Sequence, residues 1–466
     1  MICKRYILFI SLLLLSPITY AANWLKLQGT ESPSASARAH VWGFVQAQYQ
    51  HDLSDPSATD KYTPIKLIGP NLTSQSMFNV NRARVGVRGT GIPIDSKINY
   101  FILGEFGNNG LTKAGDRISL TDASITLNHI PYLRIRMGLF KYPGSEEGLQ
   151  AIHVSDYINF TTVTNQLMLE RFSNRDNYYK TSVNNVMRAN TEAQWLGTAP
   201  NGFERPLGGF RDVGLQLFDW VNTGDWQHSY ALMLGNGNGT NVGDNNGNKT
   251  FYGYWSSELI FDGKGGRRQG VKFYAWYQNG LRAYDQDMSY VRNAKIDPAT
   301  GTESTTEFSY SSAGDIDLVH YKRIRGGIGF KYLKKPFKVS AEYMQGSGMI
   351  FLGPHKESFD MNVPDGNGNG LTGKANGWYL DGGWRVLDTK FEANLRLDSY
   401  NRLVGDALEV NFFTVTVGAQ YYLNKKSRLT VNYAHRNGSS ANNNSALESN
   451  LKGIGGRFAI QMIAVY

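Results

Sequence analysis

Short runs of alternating apolar and polar residues recur along almost the whole chain. In one, Val271, Phe273, Ala275 and Tyr277 alternate with Lys272, Tyr274, Trp276 and Gln278. In another, Phe413, Val415, Val417, Ala419 and Tyr421 alternate with Thr414, Thr416, Gly418 and Gln420. Successive side chains of an extended chain point to opposite faces, so a period of two marks strands with one apolar and one polar or amphipathic face. The gaps between the runs are long and short by turns. Long ones fall at residues 51–76, 108–116, 142–207, 237–249, 282–320, 347–376, 400–409 and 437–453. The short ones, such as 222–225 and 333–336, are rich in Gly, Pro, Asn and Asp, residues that suit tight turns. A soluble sandwich has no reason to alternate its loop lengths so regularly, whereas an up-and-down barrel in a membrane does. The pattern predicts an all-β fold, a transmembrane antiparallel up-and-down β-barrel of about 16 strands. A barrel of that size is expected to leave a wide, water-filled lumen.

The last run obeys the same rule. Phe458, Ile460, Met462 and Ala464 share an apolar face with the final Tyr466, opposite Arg457 and Gln461. This predicts a closing strand whose aromatic end sits in the interfacial girdle. The run 142–207 is too long for a turn and carries aromatic and charged residues, with a possible helix near 165–171. Structureless segments of such length are uncommon unless they have work to do. It is expected to fold inward after the fifth strand as a long third loop and to set the constriction.

The start of the chain changes where this barrel is placed. Lys4 and Arg5 precede an apolar stretch from Tyr6 to Leu15, followed by Thr19-Tyr20-Ala21. The stretch, about ten residues, is too short to span a bilayer core of roughly 30 Å, so residues 1–21 read as a removed signal peptide. Residues 22–37 then form a short periplasmic segment and 38–466 the barrel in the outer membrane, surrounded by lipid. The single cysteine, Cys3, would leave with the leader, and thiol chemistry with it. The full chain carries 48 Lys and Arg against 39 Asp and Glu, and losing Lys4 and Arg5 leaves a basic excess. Export makes nucleic acid an improbable partner, and basic excess in a barrel points instead to a lumen that favours anions.

Candidate chemistry lies on the polar strand faces. Arg82, Arg84 and Arg88 share one parity, with Ala83, Val85 and Val87 on the other; Arg134 and Arg136 alternate with Leu133, Ile135 and Met137. Lys141, Arg325, Arg385 and Arg396 extend this inward-facing basic set, and Arg171, Arg175, Lys180 and Arg188 are the constriction-loop candidates. A guanidinium keeps its charge and offers a fixed fork that replaces water around an oxyanion. The alternative is a wall of ion pairs, because Glu105, Asp122, Asp212, Glu258, Glu342, Asp381, Glu392 and Asp398 fall on inward faces too. The adjacent Glu146 and Glu147 should point apart on an extended chain and so make a poor catalytic pair. Residues 365–370 begin like a calcium loop, but Asn376 stands where a bidentate Glu belongs. The GxxxxGK match ending at Lys374 is followed by Ala375 rather than Ser or Thr. No catalytic residue, metal site or cofactor is expected. An outer-membrane barrel enzyme (protease or phospholipase) would need converging Ser and His or Asp and His, and the eight histidines are scattered. An adhesin is the other alternative class.

Several short motifs together resemble the phosphate-selective porin O and P family. They are Gly138-Leu-Phe140-Lys141-Tyr-Pro143-Gly-Ser145-Glu146, Arg82-Ala-Arg84, the run around Asp122-Ala123, Arg211-Asp212-Val-Gly214 and Asn236-Gly-Asn238-Gly. The resemblance covers essentially the chain after the leader. It implies a sixteen-stranded homotrimeric outer-membrane channel in which an arginine ladder leads small inorganic anions, phosphate or polyphosphate among them, to a constriction. Only Arg82, Arg84, Arg134 and Arg136 lie on matching strands. In the long loop Arg171, Arg175, Lys180, Arg188 and Arg205 are interleaved with Glu170, Asp176, Glu192 and Glu204. This departure points equally to a weakly selective general porin.

Overall fold

The computed structural model describes residues 39–55, 75–91, 95–109, 118–169, 208–237, 239, 247–263, 268–285, 318–349, 373–387, 389–405, 409–424, 426–443, 445, 448 and 451–466. Sixteen strands follow one another: β1 (His40–Asp52), β2 (Ser76–Thr90), β3 (Ile98–Glu105), β4 (Ser119–Ile130), β5 (Leu133–Lys141), β6 (Arg211–Thr223), β7 (Trp226–Gly235) and β8 (Thr250–Asp262). They continue as β9 (Gln269–Asp285), β10 (Leu318–Lys334), β11 (Phe337–Ser347), β12 (Ala375–Arg385), β13 (Phe391–Arg402), β14 (Val410–Tyr422), β15 (Ser427–Ser440) and β16 (Arg457–Val465). Each pairs antiparallel with its neighbours in sequence, and β1 pairs with β16 to close the barrel. Closure satisfies every strand edge, which a wall facing hydrocarbon requires.

The period-two reading places the faces correctly. Phe273, Tyr277, Phe413, Val417, Tyr421 and Met462 are exposed on the outside, while Lys272, Gln278, Thr414, Gln420 and Gln461 are buried inside. The closing seam depends on two residues. Tyr466 and Gly43 exchange backbone hydrogen bonds, the Tyr466 amide donating at 3.0 Å, and the Tyr466 hydroxyl donates to the Arg84 carbonyl at 3.2 Å. A Cβ on residue 43 would strike both that hydroxyl and that carbonyl, so glycine is required there by space.

The register shifts at four places among the described strands, and two of these bulges bear on the site. The β1–β2 register shifts between Gln46 and Ala47, leaving Asn81 as an extra residue on β2. Phe78 and Val80 therefore face out on one side of the bulge, and Val85 faces out on the other, with Arg82 and Arg84 inside. Thr121 plays the same part where β4 shifts against β3, so Leu120 and Ile125 both face out while Asp122 faces in. An extra residue resets which side chains point inward.

Inside the barrel, the chain after β5 turns into the lumen. It forms one helical turn, α1 (Glu146–Leu149), a 3-10 turn at Ile152–Val154 and a π-helical turn at Thr164–Met168. The inward-folding third loop is thus seen over residues 142–169; the remainder to 207, with Arg171, Arg175, Lys180 and Arg188, lies outside the described residues. The described part of this loop narrows the expected wide lumen on one side. Leu149, Val163, Leu167 and Met168 pack with Tyr252, Tyr254, Tyr274, Trp276 and Met344 of the wall in one buried cluster. Strand alternation identifies these aromatics as inward, but burying them against the loop removes them from water, a net gain.

Candidate functional site: a basic recess in the barrel wall

The inward segment is held by polar contacts around the barrel. The Gln278 side chain (β9) donates to the Pro143 carbonyl at 2.6 Å, and Arg325 (β10) to the Leu167 carbonyl at 2.9 Å. The Thr162 amide donates to Asp398 (β13) at 2.8 Å and the Ile158 amide to Asn432 (β15) at 2.8 Å. Glu146 and Glu147, on α1 rather than on an extended chain, take separate partners. Glu146 accepts from Lys272 at 2.8 Å and Tyr254 at 3.0 Å; Glu147 meets Arg396 at 3.0 Å and the Thr161 hydroxyl at 2.6 Å. Burial raises the Glu146 pKa, but the ammonium groups of Lys272 and Lys331 and the two hydrogen bonds outweigh it and leave the carboxyl below its ordinary value. The Tyr142 phenol, buried against Tyr252, is pushed up and stays neutral.

Several of the basic residues singled out by parity turn out to brace the fold. Arg396 is flanked by Asp381 at 2.6 Å and Glu147, and its guanidinium lies 3.8 Å over the Tyr157 ring. Arg136 is fully buried, its guanidinium 4.3 Å over Phe218 and 5.5 Å over Phe140, with hydrogen bonds to Thr126 and Gln216. Arg134 pairs with Asp219 and lies 3.9 Å over Trp220. The strand parity of Arg134 and Arg136 is inward, as expected, but aromatic neighbours cover Arg136 completely and shield Arg134 in part. Arg325 is buried beside Tyr142, Arg88 is half-buried on β2, and Arg385 lies 4.7 Å over Tyr422.

A different balance holds where β2, β5 and β6 meet the inward segment. Arg82, Arg84, Lys141 and Arg211 line one recess together with Gly148, Gln150, Ile152, Phe160 and Phe210. Arg84 pairs with Glu105 at 2.7 Å and Arg211 with Asp122 at 2.9 Å. Among the described residues Arg82 donates only to the neutral Gln46, at 3.0 Å. Lys141 donates to the carbonyls of Gly148, Leu149 and Gln150. Among the described residues neither Arg82 nor Lys141 has a carboxylate within ion-pair reach, so four cations face two anions. Such an excess in a confined, poorly hydrated space attracts an anion far more strongly than the same charges on an open surface. Arg211 was visible in the sequence only as part of a strand-start motif. Its place beside Arg82 depends on Asp122, which the bulge at Thr121 turns inward.

No family model matches the chain, and no curated protein matches it either. Solved structures do. OmpF of Salmonella typhi in complex with daunomycin is 14% identical, with 92% of this chain and 97% of that chain covered at a TM-score of 0.51. A loop L8 deletion mutant of OmpT, an outer membrane protein of Vibrio cholerae, is 9% identical, with 92% and 99% covered at 0.50. An anion-selective porin from Comamonas acidovorans is 12% identical, with 92% and 100% covered at 0.49. At such identities the likeness speaks for architecture alone: this chain has the closed sixteen-stranded barrel of the outer-membrane porins.

Proposed function

We propose that this protein is an outer-membrane porin through which small solutes diffuse passively, with anions preferred. The observation that carries the preference is the recess in which Arg82 and Lys141 have no carboxylate partner among the described residues. An anion about 6 Å from each, at an effective dielectric near 40, gains on the order of 3 kcal/mol in all. No chemical step is involved; the wall positions charge and the inward segment narrows the path. Phosphate is the candidate solute of first interest, because the Arg82 guanidinium, beside the Lys141 ammonium, offers charged donors to an oxyanion. The motif resemblance supports this solute and a homotrimer, and the charged and apolar start of the chain supports a removed leader.

The test is the reversal potential of single channels in a potassium chloride gradient, followed by addition of phosphate. Anion preference that fades in molar salt, with phosphate blocking chloride current, supports the proposal. Cation preference overturns it. Anion preference without phosphate block leaves a general anion porin. Casein and phospholipid hydrolysis assays on the same preparation should be silent.

A further inference from the structure

A second recess lies below the inward segment, toward the rim of short turns. It encloses a cavity of about 130 Å³ and is lined from the segment by Glu147, Gln150, Val154, Asp156 and Tyr157, and from the wall by residues of β10 to β13 and the turn at Lys335 and Pro336. Most of its charges are already matched. Lys338 bridges Asp156 and Glu392, and Arg396 takes Asp381 and Glu147. Among the described residues Arg385 and the exposed Lys335 have no carboxylate partner, and of the two Arg385 is the more enclosed. Glu392 stands opposite it in the β12–β13 register, yet that carboxylate accepts from Lys338, Gln420 and Tyr422. The only contact of the Arg385 guanidinium among the described residues is the Tyr422 ring beneath it, which leaves its in-plane donors unassigned. Around it the recess offers apolar surface from Val154, Leu333 and Pro336 and the ring of Tyr157.

We propose that this recess is a binding site for small organic carboxylates with an apolar body, Arg385 receiving the carboxylate and Tyr157, Val154 and Leu333 the body. The chemistry differs from that of the basic recess. A bare inorganic anion gains nothing from apolar walls, whereas an aromatic acid is held both by a bidentate guanidinium and by surface removed from water. As in other small-molecule sites, a few polar groups stand among apolar walls and can fix the orientation of a ligand. The Tyr422 ring holds the guanidinium plane, so the fork is presented in advance of binding.

Benzoate and acetate are the probes. Calorimetry on the full barrel in detergent should show benzoate bound at least tenfold more tightly than acetate, with Arg385→Gln lowering benzoate affinity about tenfold. In planar bilayers benzoate should block current from one side only, the side of the short turns, and Arg385→Lys should restore part of the block lost in Arg385→Gln. Equal binding of benzoate and acetate, unaltered binding in Arg385→Gln or equal block from both sides would each overturn the site. The calorimetry does not depend on ion preference, so a cation-preferring channel would refute the anion porin and leave this site standing.

Discussion

Two clusters of basic residues face the lumen and differ in what stands beside them. At the Arg396 anchor, one guanidinium is enclosed by two carboxylates and an aromatic ring, and the result is a fastener between the inward segment and β12 and β13. At the basic recess, among the described residues, Arg84 and Arg211 have one carboxylate each while Arg82 and Lys141 have none. Residue type and strand parity are the same in both. Counter-charge separates structure from function: a paired arginine gives little field to a passing ion, whereas an unpaired one gives nearly all of it.

The largest effect should come from breaking the anchor. Arg396→Ala leaves Glu147 and Asp381 buried without their cation, a loss typically of about 3–5 kcal/mol. Thermal or denaturant melting of the barrel should show it, together with larger or noisier single-channel current as residues 142–169 loosen. An unchanged melt with unchanged current would show that the anchor does not hold the segment. The next test removes the excess charge instead. Arg82→Gln with Lys141→Gln should cut the anion-to-cation permeability ratio about tenfold, equivalent to roughly 1.4 kcal/mol, with a much smaller change in melting. Should the melt fall as far as in Arg396→Ala while selectivity stays, the two regions would not differ as argued.

Arg136→Gln sharpens the comparison from the other side. Because Arg136 is buried over two aromatic rings, the change should cost on the order of 1–3 kcal/mol of stability while moving the reversal potential little. A large selectivity change with normal melting would return Arg136 to the ion path. The smallest effect concerns pH. Glu146 has a folded pKa below its ordinary 4.5. Its contribution is complete above about that value and is lost as pH falls through the lower folded value. Melting followed from pH 6 to pH 3 should therefore decline below about 4.5, and Glu146→Gln should flatten that part of the decline. An identical profile in the variant would remove Glu146 from the account.

The sequence by itself determined the architecture. Strand alternation, Gly, Asn and Pro turns and alternating gap lengths are local properties, and a membrane imposes them on every strand separately. The same locality put Lys272, Gln278, Thr414 and Gln420 inside, with Phe273 and Phe413 outside. What only the tertiary structure decided is which inward charge meets which partner. Glu147 finds Arg396 across 249 positions of chain, and nothing in the spacing of either announces it. The extra residues Asn81 and Thr121 shift parity without any signature in residue type, yet they aim Arg82, Arg84 and Asp122. Inward aromatics look alike whether they border water or a docked loop. The physical reason is that facing is set one strand at a time by the pleat, whereas pairing is set by register, closure and the path of a loop through the lumen.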